Sequence, residues 1–515
     1  MAQKTRSDYT ILNIVSGLGG YAVTFVLGLV CRMAFTRVFS AEYLGINGLF
    51  GNVIGMLSLA ELGIGSAIVY ALYAPIAKKD NDKIATLVSF YGKCYRAIAL
   101  VILVIGLALI PFLDLIIKEK PNIEESYYII YLIMLFNSVS SYLFAYRSSL
   151  LVAAQKNYKV TLISNVVIIV QNLVQIGVIF LLKNYIVYML IASVCVLFTN
   201  VVSSELAKRE YPCIKNKNPA PLPKEEKRSI TRNVRALMIG QIGGMLVNST
   251  DNIITTFFDG LATTGLASNY TLLSSNIASL LNIVFNSVNA SVGNHNALED
   301  SEHRFALFKS INLASFWIFG WAAVGIFVVS GDVVSLMFGA EYVLPLRIPI
   351  MIAINFFMVG VQRSVWTYYN TQGLFRRGRY IGLFTAAINI GASIVLGKFM
   401  GLFGILLATA ISRLLTNSWY IPYAVFKYGF GMSPKFYYVR YLFYAVLLAL
   451  TGGACYFICS FINVSLIADI VIKFVVCCVV PNLIFFVCFA KSEEFKFLKG
   501  FVLAAFGKFK KLIKR

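Results

Sequence analysis

Arg32, Glu61, Asp251, Arg363, Arg413 and the pair Asp469 and Lys473 interrupt stretches of sequence that are otherwise apolar. At hydrocarbon depth a charge costs at least about 2.5 kcal/mol, so such a residue faces a watery cavity or a partner. Several of them, spread over many apolar stretches, suggest a polar route through a membrane and a transport function. Arginine contributes a planar fork of donors that stays ionised. Arg413 lies nearest the middle of its stretch. Arg32, near one end, could equally snorkel to the interface, and Arg363, near the other, could serve to orient its helix. Glu61 and Asp251 could hold a coupling cation or a proton, or pair with the arginines. Asp469 and Lys473 are four residues apart and satisfy each other on one helix face.

The other reactive side chains read as structural. Seven of the nine cysteines fall inside apolar stretches, with no CxxC and no companion histidine, so small core residues are expected rather than disulfides or ligands. His295 and His303 share one loop, too few for a metal centre. There is no Walker motif, so ATP hydrolysis is not expected. The chain is read as a non-enzyme with no catalytic residue, metal or cofactor.

The elements that carry the charges are long and apolar. The chain is 59% hydrophobic and 13% charged, where soluble domains carry about a quarter charged residues. About fourteen runs reach the roughly 20 residues needed to cross hydrocarbon. They lie near 11–34, 44–72, 95–117, 127–147, 160–182, 185–205, 234–258, 266–290, 308–330, 345–369, 380–398, 402–426, 437–461 and 466–490. They are continuous rather than alternating, which selects helices over an outer-membrane barrel. The expected class is an all-α polytopic membrane protein.

Loop charges orient the spans. Of the 45 Lys and Arg, 35 fall on the N-terminus, the even-numbered connections and the C-terminal tail, six on the opposite loops and four within spans. The positive-inside rule then places both termini in the cytoplasm. Orientation signals facing anionic lipid also account for the net charge of +22, and no nucleic-acid partner is implied. Met1–Thr10 and the long span after it do not form a cleavable signal. The tail from Glu493 to Arg515 alternates Phe, Leu, Val and Ile with Lys, as an amphipathic helix on the inner leaflet would.

A proline-rich, charged stretch within Ala207–Arg232 divides the chain after the sixth span. It coincides with a short internal repeat: Asn13 and Asn233, and Gly45 and Gly265, align at one offset of 220. Six spans separate the copies, so they share an orientation and are related by an axis along the membrane normal. The expected organisation is a first lobe over 1–206, a linker over 207–232, a second lobe over 233–430, two further spans over 431–490 and the tail over 491–515. Each lobe has six helices. In the second span, Gly48, Gly51, Gly55, Gly63 and Gly65 allow close helix packing or local bending. The outer loops are too short for the carboxylate-bearing domain of a membrane polymerase or glycosyltransferase.

EYLGINGLFGNVIGMLSLAELGIGSAIVYALYAPIAKKDNDKI (Glu42–Ile84), DNIITTFFDGLATTGLASNY (Asp251–Tyr270) and SVGN (Ser291–Asn294) resemble the polysaccharide flippases of the multidrug/oligosaccharidyl-lipid/polysaccharide exporter superfamily. The resemblance implies two six-helix lobes around a cavity. It also implies alternating-access transfer of undecaprenyl-diphosphate-linked oligosaccharide from the inner to the outer leaflet of a bacterial cytoplasmic membrane, for capsule, O-antigen or similar polymers. Membrane lipids and other polysaccharide-assembly proteins would be its partners. Arg32, Arg363 and Arg413 would then bind the diphosphate through paired donors. Glu61 and Asp251 would serve coupling to Na+ or H+, or gating. A cation-coupled drug exporter of the same superfamily and a peptidoglycan-precursor flippase are the alternatives.

Overall fold

The computed structural model describes residues 6–58, 64–117, 121–216, 219–298, 301–372, 374, 377–378, 380–462 and 464–500. Among these the only regular secondary structure is helical. The first eight helices are α1 (Arg6–Val38), α2 (Ala41–Leu57), α3 (Ile64–Lys78), α4 (Asn81–Ala108), the single turn α5 (Leu113–Ile116), α6 (Tyr127–Ala153), α7 (Asn157–Leu181) and α8 (Tyr185–Glu210). They are followed by α9 (Lys224–Leu298), α10 (Ser301–Phe338), α11 (Arg347–Val361), α12 (Arg363–Thr371), α13 (Ile381–Leu415), α14 (Asn417–Ala424), α15 (Lys435–Ser460) and α16 (Leu466–Phe489).

Two of these helices are really hairpins. Gly260 breaks α9 at φ 83°, ψ 171°, and Gly401 breaks α13 at φ 59°, ψ −143°, conformations that only glycine adopts without strain. Cross-links on either side show that the chain reverses. Thr256 and Thr264 share a hydroxyl hydrogen bond of 3.0 Å around Gly260. Around Gly401, Asn389 Nδ2 donates to Thr409 Oγ1 at 2.9 Å, and the Thr385 and Thr416 hydroxyls lie 2.7 Å apart. Among the described residues, ten segments are long and apolar enough to span a membrane, one of them covering both arms of the Gly401 hairpin. With the Gly401 hairpin counted as two passes, these segments make eleven of the fourteen passes expected. The chain is an all-α, multi-pass membrane protein.

Helix ends differ from expectation in places where polar groups find partners. α4 starts at Asn81 rather than near 95, because Asp80 caps it by accepting from Lys83 N at 3.0 Å. Arg96 is therefore helical, with Nε donating to Gly92 O at 3.0 Å. α10 runs through Asp332 to Phe338, so Asp332 belongs to a helix and not to an outer loop. Of the expected linker, Ala207–Glu210 completes α8 and Lys224 opens α9 just after Pro221 and Pro223.

The chain forms two compact units, Met1–Gly265 and Leu266–Arg515. In the first, α1 packs on α7, α6 on α4 and α8, and both α2 and α3 on α4 and α6. One end of it is closed by a ring cluster of Phe35, Phe39, Tyr43, Tyr185 and Tyr188. In the second unit α10 is the hub, packed on α11, α15 and α16. Trp317 Nε1 reaches Asn482 Oδ1 at 2.7 Å and Trp321 Nε1 reaches Cys477 O at 3.0 Å, fixing α16 to α10. The outward faces of α7, α8, α15 and α16 carry large exposed apolar side chains, as lipid-facing helices should.

Candidate functional site

The structure places the sequence-derived candidates unequally. Arg32 is half-buried on α1, close enough to Tyr188 of α8 for its charge to act on that hydroxyl, and next to the ring cluster. Asp251 is half-buried in the first unit, on the arm of α9 before Gly260. Its neighbour Asn252 packs against Gly48 of α2. Glu61 lies outside the described residues, as does most of the amphipathic tail.

Arg363 and Arg413 come into one unit along a polar seam. α11 and α12 meet end to end at Gln362 and pack beside α13 and α14. Across that seam Arg413 donates to Asn355 Oδ1 at 2.9 Å, and Asn355 Nδ2 donates to Leu406 O at 2.9 Å. Two turns further on, Gln362 Nε2 donates to Ser418 Oγ at 2.5 Å. Arg363 follows Gln362, and Thr367 Oγ1 donates to its carbonyl at 2.9 Å. The Arg363 guanidinium is half-buried, and its Nε is enclosed without a hydrogen-bond acceptor. Asn389 Oδ1, Ser393 Oγ and both amide atoms of Gln372 are likewise enclosed and unpaired. Enclosed polar groups without a partner are costly, and water or a ligand can satisfy them.

The surrounding sequence is poor in carboxylates. From Tyr342 to Ala468 there is no Asp or Glu, while ten Lys or Arg occur. Among the described residues no ion pair forms on Arg363.

The repeat also acquires a geometry. A Cβ on Gly45 would fall on the carbonyl oxygen of Leu261, and a Cβ on Gly265 would fall on the carbonyl oxygen of Ala41. Leu261 is Ala41 displaced by the same offset of 220 that relates the two glycines. The contact is therefore reciprocal: each copy presents its glycine to the other copy's backbone, as across a pseudo-two-fold axis. Beside it, Tyr43 Oη donates to Glu125, Asn122 N donates to Glu42, and Tyr185 Oη donates to Asn47 Oδ1 at 2.7 Å.

Sequence reading passed over three charges. Arg147, counted with the loops, is within α6 and donates to Ser204 Oγ at 2.9 Å. The apolar residues on both sides of it were the available signal. Arg440 is tied to Glu494 at 2.9 Å. Lys473 meets Asp469 at 2.7 Å, as expected, and also Asp332 of α10 at 2.8 Å, which its own sequence neighbourhood does not reveal.

No family model matches the chain, and no curated protein does. Solved structures do. An inward-closed structure of the lipid II flippase MurJ is similar at TM-score 0.63 and 14% identity, covering 93% of this chain and 99% of that one. An inward-facing multidrug-resistance MATE family transporter of the MOP superfamily matches at TM-score 0.59 and 13% identity, over 76% and 91%. A Vibrio cholerae MATE transporter matches at 0.50 and 13%, over 81% and 97%. The chain shares its overall fold with these transporters. At these identities the likeness is one of fold.

Proposed function

We propose that this protein is a flippase that carries polyprenyl-diphosphate-linked oligosaccharide repeat units from the inner to the outer leaflet of a bacterial cytoplasmic membrane by alternating access. Both termini face the cytoplasm, and the product feeds a capsule- or O-antigen-like surface polymer. The observation that carries this reading is Arg363: a half-buried guanidinium with no ion pair among the described residues, in a segment with no carboxylate from Tyr342 to Ala468. A diphosphate is the kind of charge that removes the cost of such a cation, and the guanidinium fork fits its oxygens. Arg413 and, in the first unit, Arg32 supply further donors. Asp251 and Glu61 serve coupling to Na+ or H+, or gating. The fold likeness to the flippase also runs over more of this chain than the likeness to the two MATE transporters does, 93% against 76% and 81%.

The test is depletion of the protein in cells lacking redundant transporters, with lipid-linked repeat units followed across the membrane. Accumulation on the inner leaflet is expected, and undiminished arrival outside would falsify the assignment. In the same assay Arg32→Lys should keep more activity than Arg32→Ala. The MATE likeness favours a second reading, a cation-coupled exporter of small molecules. Purified protein in vesicles would then move cationic dyes down an imposed ion gradient, which a lipid flippase should not do.

A further inference from the structure

Beyond the proposed seam, the second unit holds another set of cations with fixed positions. Arg377 lies between α12 and α13, and Lys427 lies in the π-helical turn Val425–Phe430 that ends the pass containing α14. Both address one ring: the Arg377 guanidinium is 3.7 Å from the centroid of Tyr428 and the Lys427 ammonium 5.8 Å from it. Lys427 Nζ also donates to Tyr423 Oη at 2.6 Å. Both cations are exposed, and among the described residues neither has a carboxylate partner.

The positions are built rather than incidental. Tyr420 Oη donates to the carbonyl of Arg377 at 2.8 Å, and Gly378 N donates to Tyr369 Oη at 3.0 Å, so the backbone is held on both sides of the Arg377–Gly378 bond. A Cβ at 378 would strike that Tyr369 hydroxyl, so the close approach requires glycine. The wide turn keeps Phe426 and Phe430 in the core and sends Lys427 and Tyr428 outward. Gly431 closes it in the left-handed region at φ 69°, and Met432 N returns to Phe426 O at 2.9 Å. Trp419, Tyr380 and Met432 are exposed in the same helix-end segments.

Two like charges gathered at one aromatic ring repel each other unless an anion lies between them. Orientation signals need only be basic and need no such fixing. An Arg fork beside a Lys point charge suits the oxygens of a phosphate, and exposed Tyr and Trp at a helix end sit at lipid headgroup depth. We propose that Arg377 and Lys427, set on Tyr428 and Tyr423, form a binding site for the phosphate of a membrane lipid. The site does not depend on the transported substrate being a lipid-linked sugar.

The test uses the full-length protein in phosphatidylcholine nanodiscs, with retention of added lipid read by native mass spectrometry. Two probes are offered separately: phosphatidylglycerol and a short-chain polyprenyl diphosphate. The double variant R377Q/K427Q should lose retention about thirtyfold, given about 1 kcal/mol for each of the two basic residues at a lipid surface. Y428L, which keeps both charges and removes the platform, should lose about threefold. K78Q/K79Q, which removes two exposed lysines elsewhere, should change nothing. Retention of either probe that depends on Arg377 and Lys427 supports the site. Dependence confined to phosphatidylglycerol identifies a bulk headgroup, and dependence confined to the diphosphate a docking point for carrier lipid. Equal retention by wild type and R377Q/K427Q, or an equal loss in K78Q/K79Q, overturns it. Repeat-unit transport is scored separately, so failure of the flippase reading and failure of this site give different results.

Discussion

The second unit treats its charges in two ways. Where α10, α15 and α16 meet, cations inside the helices have carboxylate partners: Lys473 lies between Asp332 and Asp469, and Arg440 is held by Glu494 and by the Tyr444 hydroxyl at 3.1 Å. Along α11 to α14, Arg363 has no ion pair among the described residues, and Arg413 donates to the Asn355 amide oxygen. Both regions contain arginine in apolar helices, and hydropathy alone does not separate them. The difference is whether the protein supplies the counter-charge. Charges neutralised by the chain hold helices together, while charges left for an external anion are the ones a ligand can use.

The largest expected effect tests the paired region. Lys473→Ala leaves two carboxylates, with side chains 28% and 14% exposed, facing each other without a cation. It should cost about 3 kcal/mol of stability, read as a lowered unfolding temperature in detergent. Neutralising all three groups together as Asp332→Asn, Lys473→Met and Asp469→Asn should restore most of that loss and leave transport intact. If the triple variant folds well but does not transport, the triad is functional and the distinction between the regions fails.

Arg363→Ala should do the opposite. Loss of a charged hydrogen-bond donor to substrate should lower transport about tenfold to a hundredfold. The unfolding temperature should stay the same or rise, because an uncompensated charge has been removed from an apolar setting. A drop in stability comparable to that of Lys473→Ala would show that Arg363 is structural.

The Gly45–Gly265 crossing gives a third, purely steric comparison. Gly265→Ala places a methyl on Ala41 O and should cost about 1–3 kcal/mol, and Gly45→Ala should cost a similar amount because the contact is reciprocal. Unequal costs would argue against the two-fold relation. The smallest effect is expected at Glu494. Burial alone would raise its pKa, but its backbone amide hydrogen bond and Arg440 hold the carboxyl below the usual range. A depressed pKa contributes stability above the ordinary glutamate value that is lost as pH falls through the folded value. Stability should therefore drop by about 1 kcal/mol or less on acidification below about pH 4, and Glu494→Gln should flatten that dependence.

Much of the fold was legible because membrane partition depends on runs of apolar residues, which are local. Most of the passes follow from that, and Gly45 and Gly265 were visible as equivalent positions at one shared offset, but the backbone contacts that each makes were not. Asp469 and Lys473 were legible as a pair because four residues along a helix is a fixed distance in space. Asp332 was read as a loop residue because a carboxylate ends an apolar window. α10 continues through it because Lys473, supplied by α16, neutralises it. Arg147 was likewise assigned to a loop, and Ser204 of α8 shows why it is tolerated in a helix.

The amino-acid sequence by itself determined the helical, membrane-spanning class and which residues carry charge into the spans. The tertiary structure decided which of those charges are spent inside the protein. Hydropathy sums over neighbours in the chain, whereas neutralisation acts through space between residues that are far apart in sequence.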